Sequence, residues 1–106
     1  MNKFEVELQR FLMKARRSTR GVLPPLCCAD GFRMSVQVGA YAYCTPRSDI
    51  GPWTRVEVGY PSQIEPLFWP WAELPGDWTN TVYPYTPAEV VAAVVELHDG
   101  FADGNM

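Results

Sequence analysis

The sequence predicts an α+β fold: a small antiparallel β-sheet packed against a C-terminal helix, with an additional N-terminal helix. Three observations lead there. Residues 32–38 and 54–60 alternate apolar and polar side chains with a period of two. Residues 88–100, AEVVAAVVELHDG, carry a wide apolar helical stripe behind the start signal Thr-Pro-Ala-Glu. Residues 3–19 repeat apolar positions at spacings of three and four. The chain has 106 residues, enough for one core and too few for two.

In chain order, Phe4, Leu8, Phe11, Leu12 and Ala15 share one face of the first helix, and Arg10, Lys14 and Arg17 form a basic stripe on another. Gly21 ends the pattern and Pro24-Pro25 forbids its continuation. Residues 1–22 therefore read as an amphipathic basic extension, and 23–106 as a single core domain. The basic stripe is either a solvated helix face or an arm for a phosphate backbone or an acidic protein.

FRMSVQV (32–38) follows the turn signal Asp30-Gly31 and puts Phe32, Met34, Val36 and Val38 on one side. Gly39 suggests a bulge, with AYAYC extending the strand. The second strand faces Val56 and Val58 one way, and Trp53, Arg55 and Glu57 the other. Paired antiparallel, the strands bring Glu57 to the polar face as a cross-strand ion-pair partner. Pro66, Pro70 and Pro75 exclude a long helix or a central strand from 61–80, so Phe68, Trp69, Trp71 and Trp78 either wrap the core or form an exposed patch. TVYPY (81–85) reads as a short edge strand. Thr86 then reads as the N-cap of the last helix, with Glu89 completing a capping box and Gly100 stopping the helix. FADGNM reads as a frayed tail.

The net charge of −3 conceals an asymmetry: residues 1–20 hold six basic and two acidic side chains, and residues 21–106 hold three basic and ten acidic ones. Such a body repels nucleic acid, and only the N-terminal helix attracts it. No apolar run approaches the roughly 20 residues that span a bilayer, and the opening MNKFEVELQRF lacks the apolar stretch of a secretory signal. Three cysteines, two of them adjacent, do not form a disulfide framework and point to free thiols in a reducing cytoplasm.

No catalytic or metal-ligating constellation is legible. Cys27, Cys28, Cys44 and His98 match a zinc site in number but not in spacing. No Gly-rich loop opens a helix. No cofactor is expected. The informative stretch is GAYAYCTPRSDIGP (39–52), far longer than the 2–5 residues of an ordinary hairpin loop. Arg47 and Asp49 lie between Pro46 and Pro52, Tyr43 precedes them and Trp53 follows. This is either a stiffened recognition element or a structural loop pinned by Tyr43 and Trp53. Candidate partner-binding residues are Arg47, Trp53, Tyr43, Asp49, Glu57, Trp69 and Trp71, Arg and Trp being the types most enriched at binding hot spots.

LCCADGFRMSVQ (26–37), YCTPR (43–47), GPWTRVEVGYP (51–61) and TVYPYTPAEVV (81–91) together resemble a family of small uncharacterised proteins of tailed bacteriophages and prophages. The resemblance covers about residues 26–100 and makes Asp30, Ser35, Gln37, Tyr43, Cys44, Arg47, Trp53 and Glu57 motif positions. The family carries no activity to transfer. Its context implies a protein acting in the host cytoplasm. The leading expectation is a small binder that inhibits a host factor, such as a CRISPR effector, by stoichiometric, non-catalytic occupation of a surface. The alternatives are a protein that sequesters a host signalling nucleotide through Tyr43, Arg47 and Trp53, and a small enzyme using Cys44 or Glu57.

Overall fold

Asn2 starts the first helix. Its side chain accepts the Glu5 N–H at 2.9 Å, and the Glu5 carboxylate accepts the Asn2 N–H at 3.3 Å, so two otherwise orphaned donors are satisfied reciprocally. In the computed structural model, which describes residues 2–105, this helix is α1 (Lys3–Ser18). Leu8, Phe11, Leu12 and Ala15 are its buried face, as the spacing predicts. Beyond it, Arg16 donates to the carbonyls of Thr19 (2.6 Å), Gly21 (2.8 Å) and Val38 (2.8 Å), tying the helix end to the sheet.

Four antiparallel strands follow in spatial order β1 (Leu26–Cys27), β2 (Arg33–Gln37), β3 (Arg55–Gly59) and β4 (Val82–Pro87). Val36 faces Val58 and Gln37 faces Glu57 across β2 and β3. The β3–β4 ladder shifts register between Val56 and Val58. A 3₁₀ helix (Pro66–Trp71) precedes β4, and α2 (Ala88–Leu97) closes the order. Met34, Val36, Val56, Val58 and Tyr83 from the sheet, α1's buried face, Val91, Val94 and Val95 from α2, and Phe68 from the 3₁₀ helix form one core. The α+β class is thus as the sequence predicts. The boundary expected at 22/23 falls in the connector between α1 and β1, and the segments on its two sides share that core.

Four local expectations change. Residues 40–44 do not extend β2: Gly39 takes φ 140°, and the Ala42 N–H turns back to its carbonyl at 3.2 Å. Thr86 is not a cap. It lies fully buried in β4 opposite Val56, and its hydroxyl donates to the Tyr83 carbonyl at 2.9 Å. The strand runs straight into α2, whose N-cap is Pro87, and the Ala88 N–H is satisfied by the Thr54 carbonyl at 2.9 Å. The tail, within its described residues, is docked: Phe101 bridges to Cys28, and Asn105 accepts the Cys27 N–H at 2.8 Å and donates to the Pro25 carbonyl at 3.3 Å. The aromatic segment divides. Phe68 is buried and Trp71 leans on the core, while Trp69 is partly exposed and stacks on Trp78 at 4.5 Å between ring centroids.

Among the described residues, no helix is long and apolar enough to cross a membrane. All three cysteines are free thiols.

Candidate functional site

The 39–54 loop is fastened to the scaffold along its whole length. Asp49 accepts the Ala40 N–H at 3.0 Å across the loop. Arg47 Nε donates to the Ala42 carbonyl at 3.2 Å. The buried Cys44 sulfur lies within 3.4 Å of the Gly39 N–H and 3.3 Å from the carbonyls of Gly39 and Pro46. Thr45 forms a bridge with Arg55 at the start of β3. The Thr45–Pro46 and Gly51–Pro52 bonds are both cis.

Trp53 is the chief anchor. It is 1% exposed, which corrects the expectation that it projects from the polar face. The alternation that placed it with Arg55 and Glu57 does not reach it, because β3 begins at Arg55. Its N–H donates to Gln9 Oε1 at 2.9 Å, its carbonyl accepts from Gln9 Nε2 at 2.6 Å, and its indole N–H donates to the Ser48 carbonyl at 2.9 Å. A Cβ at Gly51 would stand 2.6 Å from the Trp53 ring, so only glycine permits the loop to fold over it. Trp53 is part of the core and is not available to a partner.

What this scaffold displays is a tyrosine–arginine face. Tyr43 and Tyr85 are 46% and 41% exposed, with ring centroids 5.9 Å apart. The Arg47 guanidinium lies 5.2 Å over the Tyr43 ring, a cation–π arrangement. The backbone beneath is bonded on every side. The Tyr43 N–H donates to Glu57 Oε1 at 2.9 Å, the Tyr43 carbonyl accepts the Tyr85 N–H at 3.2 Å, and the Tyr85 carbonyl accepts Arg55 Nη1 at 2.8 Å. Tyr85 is held at φ 55°, a left-handed conformation that costs a non-glycine residue energy.

Of the sequence candidates, the structure brings Tyr43, Arg47 and Glu57 together and adds Tyr85 and Arg55. Glu57 is not the expected cross-strand ion-pair partner: its carboxylate holds the Tyr43 backbone, and Gln37, not an arginine, is opposite it. Asp49 serves the loop. Trp69 and Trp71 lie apart, in the 3₁₀ helix beside β4. Tyr85 carried one signal in the sequence, its alternation with the buried Tyr83 in TVYPY.

A second cluster joins three distant segments. His98, just past α2, bonds Asp30 at 2.6 Å through Nδ1 and Glu65 at 3.1 Å through Nε2, and stacks on Phe32 at 4.1 Å. Burial pulls the imidazole pKa down, but the bonds and charges of Asp30 and Glu65 outweigh it and hold it above the usual 6.5. Asp30 is held below 3.8, first by the Phe32 N–H and then by His98. Burial, with the Asp30 charge, pushes the neighbouring Cys28 thiol up to about 12, which leaves it un-ionised and inert. Both ring nitrogens of His98 are engaged by carboxylates, so the cluster is a clamp and not an acid–base pair waiting for a substrate. Among the described residues, no group of three or more His, Cys, Asp or Glu side chains is arranged to hold a metal ion.

A groove of about 750 Å³ lies between the C-terminal end of α1 and the 39–42 turn, lined by Arg16, Arg17, Arg20, Gln37, Tyr41 and Glu57 among others.

Set against known proteins, the chain matches no family model, no curated protein and no solved structure.

Proposed function

We propose that the protein is a phage-derived binder that inhibits a host protein, such as a CRISPR effector or another defence component, by stoichiometric occupation of a surface. One observation carries this reading. Tyr43, Tyr85 and Arg47 stand exposed on a backbone fixed by Glu57, Arg55 and the buried Trp53. Tyrosine and arginine are interface-enriched types, and a partner meeting side chains already held in place loses little further entropy on binding. The left-handed Tyr85 supports the same reading, because strain of this kind concentrates at binding and catalytic positions.

An enzyme built on Cys44 or Glu57 has less support. The Cys44 sulfur is buried among backbone groups, and Glu57 is occupied by the Tyr43 N–H. Nucleotide sequestration by Tyr43, Arg47 and Trp53 loses one of its two stacking rings to the core.

The test is affinity capture from a bacterial host lysate with the wild type and with Tyr43→Ala/Arg47→Ala, followed by reconstitution of the captured protein with each. The reading expects a defined complex and inhibition that saturates at equivalence, both lost in the double variant. Inhibition at far below equivalence, or equal inhibition by the variant, overturns it.

A further inference from the structure

We infer that the groove beside the end of α1 is a binding site for a nucleotide, with Arg17 and Arg20 meeting the phosphates and Tyr41 stacking on the base. The site shares no proposed contact residue with the Tyr43–Tyr85 face, so the two stand or fall separately.

A helix C-terminus ordinarily repels anions, because its last carbonyls carry partial negative charge. Here Arg16 and Arg17 place positive charge in the last turn, and Arg16 donates to the carbonyls of Thr19, Gly21 and Val38 along the groove. Arg17 and Arg20 remain, both exposed and both on the groove. The two carboxylates in the lining already have donors: Asp49 accepts from Ala40 and Glu57 from Tyr43. Two exposed arginines therefore line the groove, and a guanidinium is suited to bidentate phosphate contacts.

Tyr41 supplies the second element. It is 99% exposed, yet it stands on a turn fixed by the Ala42–Gly39 hydrogen bond and by Asp49. Gly39, at φ 140°, leaves no room for a Cβ, which would stand 2.9 Å from both Arg16 Nη1 and Asp49 Oδ1. An unburied ring on a fixed turn is a platform for a base, and base stacking on aromatics tolerates any base.

Size and charge select the occupant. The groove's 750 Å³ falls within the range of small-ligand sites. Residues 21–106, with ten acidic side chains against three basic ones, disfavour an occupant whose phosphates continue past the groove onto that body. A run of Asp or Glu side chains offers carboxylates but no ring for Tyr41.

The experiment is calorimetric titration of the full chain with ATP, GTP, CTP and UTP, and separately with inorganic tripolyphosphate and a polyglutamate peptide. At least one nucleoside triphosphate is expected to bind saturably, one per chain. Arg17→Gln/Arg20→Gln should weaken it at least about tenfold, since each charged hydrogen bond accounts for a factor of that order, with the melting temperature unchanged. Tyr41→Ala should weaken the nucleotide and leave tripolyphosphate binding as it was. No saturable binding of any of the four at millimolar concentration overturns the inference, as does undiminished binding by the double variant, equal loss of both ligands in Tyr41→Ala, or tighter binding of polyglutamate than of the nucleotides.

Discussion

Trp53 and Tyr85 show how single residues divide between the fold and the proposed binding face. Trp53 fills the core, and its backbone and indole make three hydrogen bonds across the loop and α1. Trp53→Ala is expected to destabilise the protein by about 3–5 kcal/mol, the cost of a large aromatic-to-alanine cavity, measured by denaturant unfolding. Tyr85 behaves oppositely. Its left-handed backbone favours glycine, so Tyr85→Gly should leave stability unchanged or raise it by roughly 1 kcal/mol, while removing a ring from the binding face and weakening capture of the partner. Thr86 shows where sequence reading fails at this scale. Thr-Pro-Ala-Glu is a sound capping signal, but the strand pairing of Thr86 with Val56 outweighs it and shifts the helix start by one residue. Parity misplaced Trp53 for a related reason: alternation is informative only inside the ladder, and the ladder begins two residues later.

Among the elements, α1, β2, β3 and α2 were legible because each carries its period in its own side chains. The clamp Asp30–His98–Glu65 was not, since it joins the β1–β2 turn, the cap of the 3₁₀ helix and the end of α2, and no local pattern encodes such a meeting. It has a pH signature. A histidine whose folded pKa is raised contributes stability that is fully present below its unfolded pKa, near 6.5, and lost as pH climbs through the folded value. Asp30, held below 3.8, contributes stability that is present above that value and lost as pH falls through its lowered folded pKa. Unfolding free energy should therefore be flat from about pH 4 to about pH 6.5 and fall above it. His98→Gln should remove the alkaline fall, read from denaturant melts at stepped pH. The N-terminal helix gives a second prediction at this scale. Deleting residues 1–22 removes Leu8, Phe11, Leu12 and Ala15 from the core and Gln9 from Trp53. The truncated chain is expected to lose cooperative unfolding, monitored by near-ultraviolet circular dichroism.

At the scale of the whole molecule, the proposed recognition falls to side chains. Both sheet edges are partly occupied from within: Asn105 and Ala102 bond Cys27 in β1, and the Glu73 N–H bonds the Val82 carbonyl in β4. A partner adding a strand there would have to displace these bonds, whereas the tyrosine–arginine face is open. The candidate site was half legible. A loop too long for its hairpin, carrying Tyr43 and Arg47, could be read in advance. Its completion by Tyr85 and Arg55 needed the register of β3 on β4. The most direct test of the central claim is the affinity of the host partner, once captured, for wild type, Arg47→Ala and Tyr43→Ala, measured by calorimetry beside each variant's melting temperature. The account predicts losses of about 2 kcal/mol or more in binding, as for hot-spot residues, with melting temperatures within a few degrees of wild type. Wild-type affinity in both variants would contradict it.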